Sequence, residues 1–294
     1  INMRQHRLRV CAPHFVEWFV AMTQRTIEKY AMFAPADPVL VAVSGGKDCL
    51  ALWDVLLRLG YQAEGLYISL GIDEDIGYSD KSLQMCQKFL AEHQPEAVLQ
   101  VVDVGRKSGQ TIPELAHTRR RGRGKPCSVC GLVKRHEMNR VARDSDFAAI
   151  ATGHNLDDEV AVLMQNTLHW QSGYLARQAP VLIERDGLAR KVKPFVRFYE
   201  RETAAYTLLR GIDYIYDECP FAKGATTSLY KELLNQLELT SAGAKQQFYL
   251  SFLQARDEGR VAFAQGERAE LNPCLCCGQP TTAGNLCAFC RLWD

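Results

Sequence analysis

The chain lacks the features that would tie it to a bilayer or to bulk polyanions. No apolar run approaches the ~20 residues a membrane helix needs, and no signal-peptide pattern opens the sequence. The expectation is therefore a soluble, cytoplasmic protein. Net charge is only +1, so nothing global advertises a polyanionic partner. Internal repeats and low-complexity tracts are absent. The 11 cysteines are too unevenly placed for a disulfide framework. Several form C-x-x-C pairs, which in a chain without an export signal point to metal. At 294 residues the chain has length for one large domain or two, with a real core.

What is present centres on Val39-Leu-Val-Ala-Val-Ser-Gly-Gly-Lys-Asp-Cys-Leu50. The apolar run from Val39 to Val43 reads as a buried strand, Ser44-Gly45-Gly46 as a sharp turn, and Leu50 to Leu57 resumes with helical spacing. Strand, glycine turn and helix aim free backbone N–H groups and the positive end of a helix dipole at an anion. A Cβ in the turn would keep phosphate oxygens off the backbone. Lys47 adds a positive charge, and Asp48 a carboxylate able to hold Mg²⁺ against the phosphates. The Walker form, G-x-x-x-x-G-K followed by Ser or Thr, is not met. S-G-G-K-D instead resembles the pyrophosphate loop of the ATP pyrophosphatases.

From Pro38 the pattern is regular α/β. Strand-like runs are Val39–Val43, Ala63–Leu70, Ala97–Val104, Phe147–Thr152 and, more weakly, Lys191–Phe195. Helical stretches at Leu50–Leu59, Ser79–His93, Gly131–Asp144 and Asp157–His169 lie between them. This alternation implies a parallel sheet with helices on both faces. The glycine turn then sits at the strands' carboxyl edge, where such sheets bind ligands. A helix ending near Tyr30 precedes the sheet, and Glu200–Leu209, Thr227–Leu239 and Ala244–Asp257 follow it. The chain divides into 1–34, a partial N-terminal zinc finger and helix, 35–265, the ATP-binding domain with a helical end, and 266–294, a compact tail. Gly105 to Lys125 breaks the rhythm, and His117 to Lys125 carries five cations in nine residues. Such a run reads as a solvated loop, able also to contact a phosphate backbone.

The cysteines fall into three groups. Cys274-x-x-Cys277 and Cys287-x-x-Cys290 supply four thiolates across a short Gly/Pro loop. This is zinc-ribbon spacing, with Cys276 a weaker competitor for Cys274, and so small a segment needs its metal to fold. Cys11-x-x-His14 is a two-ligand zinc half site, and its other half lies upstream of Ile1 or the pair is inert. The third group is Cys127-x-x-Cys130 and the distant Cys219. Three thiolates suit a 4Fe–4S cluster with one iron left open, or zinc with His136 or His154 as fourth ligand. They also suit redox chemistry between Cys130 and Cys219. Spacing alone leaves these three open. Finally, Gly153-His-Asn-Leu-Asp-Asp-Glu159 gathers more acids than a helix cap needs. A carboxylate there could bind Mg²⁺ or act as acid or base.

Together, Ser44–Asp48, Cys127-x-x-Cys130-Gly131, Gly153–Glu159, Glu218-Cys-Pro220 and Cys287-Ala-Phe-Cys-Arg-Leu-Trp293 resemble the TtcA/TtuA-type tRNA 2-thiolation family, in its two-zinc-finger branch. The resemblance implies an ATP pyrophosphatase fold of the adenine nucleotide alpha hydrolase type. It implies a tRNA-uridine 2-sulfurtransferase that uses ATP with Mg²⁺ to adenylate the uridine C2 oxygen before sulfur attacks C2. The T-loop uridine is the expected target and the wobble uridine the alternative. Cys127, Cys130 and Cys219 would hold the 4Fe–4S cluster, and Lys134 would steady the activated base. Asp158 matches the catalytic aspartate, while Ser44, Gly45, Gly46, Lys47, Asp48, Gly153 and His154 would bind the nucleotide. Expected partners are tRNA, a sulfur donor (sulfide or a ubiquitin-like thiocarboxylate carrier) and a second copy in a homodimer, with no membrane.

Three departures stand out. Cys49 replaces the family's usual Ser, exchanging a hydroxyl contact to phosphate for a weaker thiol donor. The first C-x-x-C of the N-terminal finger is absent from this sequence. Arg119, Arg120, Arg121 and Arg123 form an unusually basic insert, expected to grip tRNA in a salt-dependent way. Competing readings are another synthetase with the same loop, a zinc-ribbon RNA-binding protein with an idle nucleotide fold, and an iron–sulfur electron carrier. Anaerobic iron analysis and ATP turnover separate them.

Overall fold

The computed structural model describes residues 1–73, 76–118, 126–222, 226–263 and 270–293. A hairpin of β1 (Asn2–Met3) and β2 (Leu8–Arg9) leads into α1 (Ala12–Lys29). Then come β3 (Val39–Val43), α2 (Lys47–Arg58), β4 (Ala63–Ser69), α3 (Tyr78–His93) and β5 (Leu99–Asp103). Short helices α4 (Val104–Ser108) and α5 (Ile112–Thr118) precede α6 (Pro126–Asp144), β6 (Ala149–Thr152), α7 (Leu156–Leu168) and α8 (Ser172–Leu175). The chain continues through β7 (Val181–Leu182), β8 (Lys191–Val192), α9 (Glu200–Leu209), α10 (Thr226–Thr240), α11 (Ala244–Asp257), β9 (Asn272–Pro273) and β10 (Pro280–Thr281). No helix of the described residues is long and apolar enough to cross a membrane.

Among the described residues, the main sheet runs β5-β4-β3-β6-β8-β7. All pairings are parallel except β7 against β8. β3 lies inside the sheet, with Val39 registered against Ala63 on one side and Ala149 on the other. That position explains its unbroken apolar run: both faces are covered. Trp53 of α2 is wholly buried and donates Nε1–H to Ala63 O at 3.0 Å. Gly65 of β4 makes room for it, since a Cβ there would stand 2.5 Å from the indole. Asp54, also wholly buried, accepts from Tyr206 OH at 2.6 Å and Arg210 Nε at 2.9 Å. This clamps α9 onto α2, about two turns beyond the glycine turn.

α1 joins the same core. Phe15 and Phe19, four residues apart on one helix face, are buried, and Phe19 stacks on Phe198 at 4.0 Å and Tyr206 at 4.5 Å. The weak strand expected to Phe195 stops at Val192. Pro194 cannot donate to a ladder, and the segment beyond it sends Phe195 and Phe198 into the α1 contact.

From Gly105 to Thr118 the break in the strand–helix rhythm is filled by two short helices. Asp103 Oδ1 caps α4 by accepting from Arg106 N at 3.0 Å. Thr111 and Glu114 form a reciprocal pair at the start of α5: Glu114 accepts from Thr111 N at 2.6 Å, and Thr111 Oγ1 from Glu114 N at 3.4 Å. The basic insert Arg119, Arg120, Arg121 and Arg123 lies outside the described residues.

Candidate functional site

β3 ends in the turn Ser44-Gly45-Gly46, and α2 starts at Lys47. Gly45 takes a φ of 71°, and a Cβ on it would stand 2.4 Å from Ser82 O. Both facts demand glycine. The turn is also tied down from behind, because Gly45 O accepts from Ile215 N at 2.8 Å. The Cys49 thiol turns back into the loop rather than outward. Its Sγ accepts from Ser44 N at 3.2 Å, donates to Gly46 O at 3.1 Å, and is buried. Cys49 thus braces the turn, which corrects the expectation that it offers a direct phosphate contact.

Gly153 follows β6 and lies against the start of α2. A Cβ there would sit 2.8 Å from Asp48 C and 2.9 Å from Cys49 N, so the two backbones touch only because Gly153 has no side chain. His154 is exposed at the same edge, its Nδ1 2.8 Å from Thr152 Oγ1.

Charged side chains cross this edge as a chain. Lys47 Nζ lies 2.8 Å from Glu200 Oε1 and 3.0 Å from Asp48 Oδ2. Asp48 Oδ1 accepts from Thr203 Oγ1 and, at 3.4 Å, from Asn155 Nδ2. Glu200 Oε2 takes Lys231 Nζ at 3.1 Å, and Lys231 reaches Asp158 Oδ1 at 2.6 Å. Burial would push the Glu200 carboxyl up, but Lys47 and Lys231 hold it down to about 2. Burial would lower Lys231, yet Asp158 and Glu200 raise it above the usual lysine range. Asp48 moves the other way, since burial raises it more than Lys47 and Thr203 lower it.

The three acids that open α7 have separate jobs. Asp157 accepts from Glu200 N at 2.9 Å and pairs with Lys245. Glu159 pairs with Lys193 at 2.7 Å and accepts from Tyr249 OH at 3.2 Å. Asp158 completes a capping box with Asn155, accepting Asn155 N through Oδ2 at 3.0 Å. Its Oδ1 faces Lys231. Sequence reasoning missed Glu200, Thr203 and Lys231. Only Glu200 and Thr203 carried a signal, as the first turn of a helix following the sheet.

Ser44 also lines a cavity of about 320 Å³ together with Cys127, Cys130, Gly131, Lys134, Cys219 and Phe221. α6 supplies Cys127, Cys130 and Lys134, and the turn at Pro220–Ala222 brings Cys219 against them. Cys127 Sγ donates to Phe221 O at 3.2 Å. Burial pushes the Cys130 thiol up to about 11, with Lys134 opposing. Without a metal it is a poor nucleophile. His136 does not face this trio, because its Nε2 points to Cys277 Sγ in the tail at 3.5 Å. That removes it as the trio's fourth ligand.

In the tail, the donor atoms of Cys274, Cys277, Cys287 and Cys290 all lie within 4.8 Å of one another. Sulfur separations are 3.8 Å for Cys274 to Cys290 and 3.7 Å for Cys277 to Cys287. A tetrahedron with metal–sulfur bonds of ~2.3 Å has edges of ~3.8 Å, so the quartet fits one tetrahedral ion. Among the described residues no other group of three or more such donors is so tightly gathered. Burial pushes the Cys274 thiol up, but backbone N–H groups, first that of Cys287 at 3.2 Å, bring it down to about 6. At the other end of the chain, Cys11 Sγ and His14 Nδ1 are 3.1 Å apart and exposed.

No family model matches the chain. A tRNA-5-methyluridine(54) 2-sulfurtransferase of Thermus thermophilus is 52% identical over 294 residues, covering 100% of this chain and 88% of that protein. A protein of the same name from Pyrococcus horikoshii is 41% identical over 293 residues, 100% of this chain and 90% of its own length. Among solved structures, the U34-tRNA thiolase NcsA of Methanococcus maripaludis, with its 4Fe-4S cluster, superposes with a TM-score of 0.74 at 20% identity. The match covers 90% of this chain and 86% of that one, and it shows a shared fold.

Proposed function

This chain belongs to the tRNA-5-methyluridine(54) 2-sulfurtransferase family, and from that premise we propose that it replaces the C2 oxygen of the uridine at tRNA position 54 by sulfur, using ATP. The observation that carries the reading is the shared cavity. Ser44 of the glycine turn, Lys134 and the three cysteines line one space, so an activated base and a sulfur source would meet there.

ATP phosphates would lie at the start of α2, on the N–H groups beyond Ser44, whose own N–H is held by Cys49 Sγ. Lys47, held between Glu200 and Asp48, would move onto them. Mg²⁺ would reach Asp48 through Oδ2, whose partner is Lys47. The uridine C2 oxygen attacks the α-phosphorus and pyrophosphate leaves. Sulfur then attacks C2, the C2–O bond breaks, and AMP departs with the oxygen. Lys134 would hold the activated base in the cavity by charge. Asp158, fixed through Oδ2 by Asn155, would release Oδ1 from Lys231 to take a proton from the uridine or to hold Mg²⁺.

The donor set fits a cofactor: three cysteines from two elements face one cavity, with no fourth sulfur among the described residues that line it. Cys127, Cys130 and Cys219 would hold a 4Fe–4S cluster, which supplies an open iron able to bind incoming sulfur. Zinc is the fitting ion for the tail quartet.

The test is nucleoside mass spectrometry with position mapping on tRNA incubated with anaerobically prepared protein, ATP and a sulfur source. Sulfide and a thiocarboxylate carrier are supplied in parallel arms. Thiouridine at position 54 in either arm is the expected result. Thiolation at another position, or thiolation by iron-free protein, would overturn the assignment.

A further inference from the structure

One helix touches both sulfur sites. α6 opens with Cys127 and Cys130, carries Lys134 a turn later, and then turns His136 toward the tail. The His136 ring lies flat on Phe289, with centroids 3.6 Å apart and planes 1° apart, while its Nε2 stands 3.5 Å from Cys277 Sγ. The backbone joins in: His136 O accepts from Gln279 Nε2 at 3.0 Å, and Gln279 Oε1 from Asn139 Nδ2 at 3.1 Å. Beside this contact, Phe289, Leu292 and Trp293 pack in the apolar cluster that also holds Cys130, Cys219 and Phe221.

We propose that His136 is a positioning residue of the tail metal site, its Nε2–H donating to the metal-bound Cys277 thiolate so that the ligand set is fully supported only when the tail is docked on α6. Backbone N–H groups support the quartet, that of Gln279 at Cys277 among them, and Cys277 adds a side chain from outside the tail. Cys274 Sγ accepts from Cys287 N at 3.2 Å and Cys287 Sγ from Cys290 N at 3.3 Å. Cys277 is the least buried of the four, and it has the imidazole. Donors to metal-bound thiolates spread their charge and fix their orientation, and losing such a partner typically costs 10–100-fold in metal affinity. The ring is itself oriented. Its Nδ1 donates to Glu137 Oε1 at 3.2 Å, the ring carrying an N–H at both nitrogens, and Glu137 is held by Lys107 at 3.1 Å and Arg140 at 2.9 Å.

The test loads the full chain with zinc, adds a chelator, and follows both zinc release and alkylation of the four tail cysteines by peptide mass. His136→Phe keeps a ring on Phe289 but removes the N–H, whereas His136→Gln returns an N–H donor. Release about 10-fold faster for His136→Phe, with recovery toward the wild-type rate in His136→Gln, is the expected result. Phe289→Leu, which leaves the donor in place, should shift the rate far less. Wild-type release from His136→Phe, or equally fast release from the Phe and Gln variants, would overturn the assignment.

Discussion

Lys231 Nζ lies 2.6 Å from Asp158 Oδ1, joining a helix far along the chain to the acid beside the glycine turn. Through Glu200 the same lysine is linked to Lys47, so one cation sets the geometry on both sides of the nucleotide edge. Lys231→Met should lower kcat for thiolation by about 10-fold or more, roughly 1.4 kcal/mol of barrier per tenfold. Asp158→Asn should cost about 10²–10⁴-fold. Steady-state thiolation at saturating ATP checks both. A Lys231→Met rate equal to wild type would show that Asp158 needs no partner.

Gly153→Ala tests the backbone contact between the end of β6 and the start of α2. The added methyl meets main-chain atoms of Asp48 and Cys49 at 2.8 and 2.9 Å, which cannot swing aside as a side chain can. Destabilisation of about 1–3 kcal/mol is expected, and ATP, expected to raise the Tm of the wild type, should not raise that of the variant. Gly173 in α8 has nothing within 4 Å of such a methyl, so Gly173→Ala should be neutral or slightly stabilising. Thermal melts with and without ATP read out both variants.

The sequence was most legible where one physical demand acted alone. A strand covered on both faces must be apolar throughout, and Val39–Val43 has the bounds its pattern announces. A turn at φ 71° needs glycine, and Gly45 is there. Lys231 was invisible because a single lysine on an amphipathic helix looks like any solvated charge until α10 is packed on α7. His136 was legible but misread. It lies six residues beyond Cys130, a rotation of ~240° around the helix, whereas Lys134 at four residues comes round to ~40° from the cysteine. Period alone puts Lys134 on the trio's face and His136 on another. The edge strand β7 is two residues long, too short for any periodic signal.

Cys49 gives a prediction that separates bracing from phosphate contact. Its thiol takes Ser44 N and gives to Gly46 O, a pattern a hydroxyl can repeat with shorter bonds. Cys49→Ser should therefore retain ATP affinity within a few-fold. Cys49→Ala, which leaves both backbone groups without the bond, should weaken ATP binding and destabilise by about 1–3 kcal/mol. Calorimetric ATP titration and urea unfolding of the two variants distinguish these effects. Equal affinity in Cys49→Ala would mean that the turn is held by Gly45 and its backbone bond to Ile215 alone.

Glu137 makes stability depend on pH in a calculable direction. Its side chain is almost wholly buried, which would push the carboxyl up. Hydrogen bonds from His136, Arg140 and Lys107 outweigh that and hold it down to about 2, against 4.5 for the free group. A carboxyl depressed on folding contributes stability that is complete above pH 4.5 and is lost as pH falls toward 2. The shift corresponds to on the order of 3 kcal/mol. Glu137→Gln should be less stable than wild type by up to that amount at neutral pH, and the gap should close steadily below pH 4.5. Because both proteins share the rest of their titrating groups, the difference between their urea midpoints isolates this one. A gap that stays constant from pH 7 to 3 would mean that Glu137 contributes by packing, and that Lys107 and Arg140 do not set its charge.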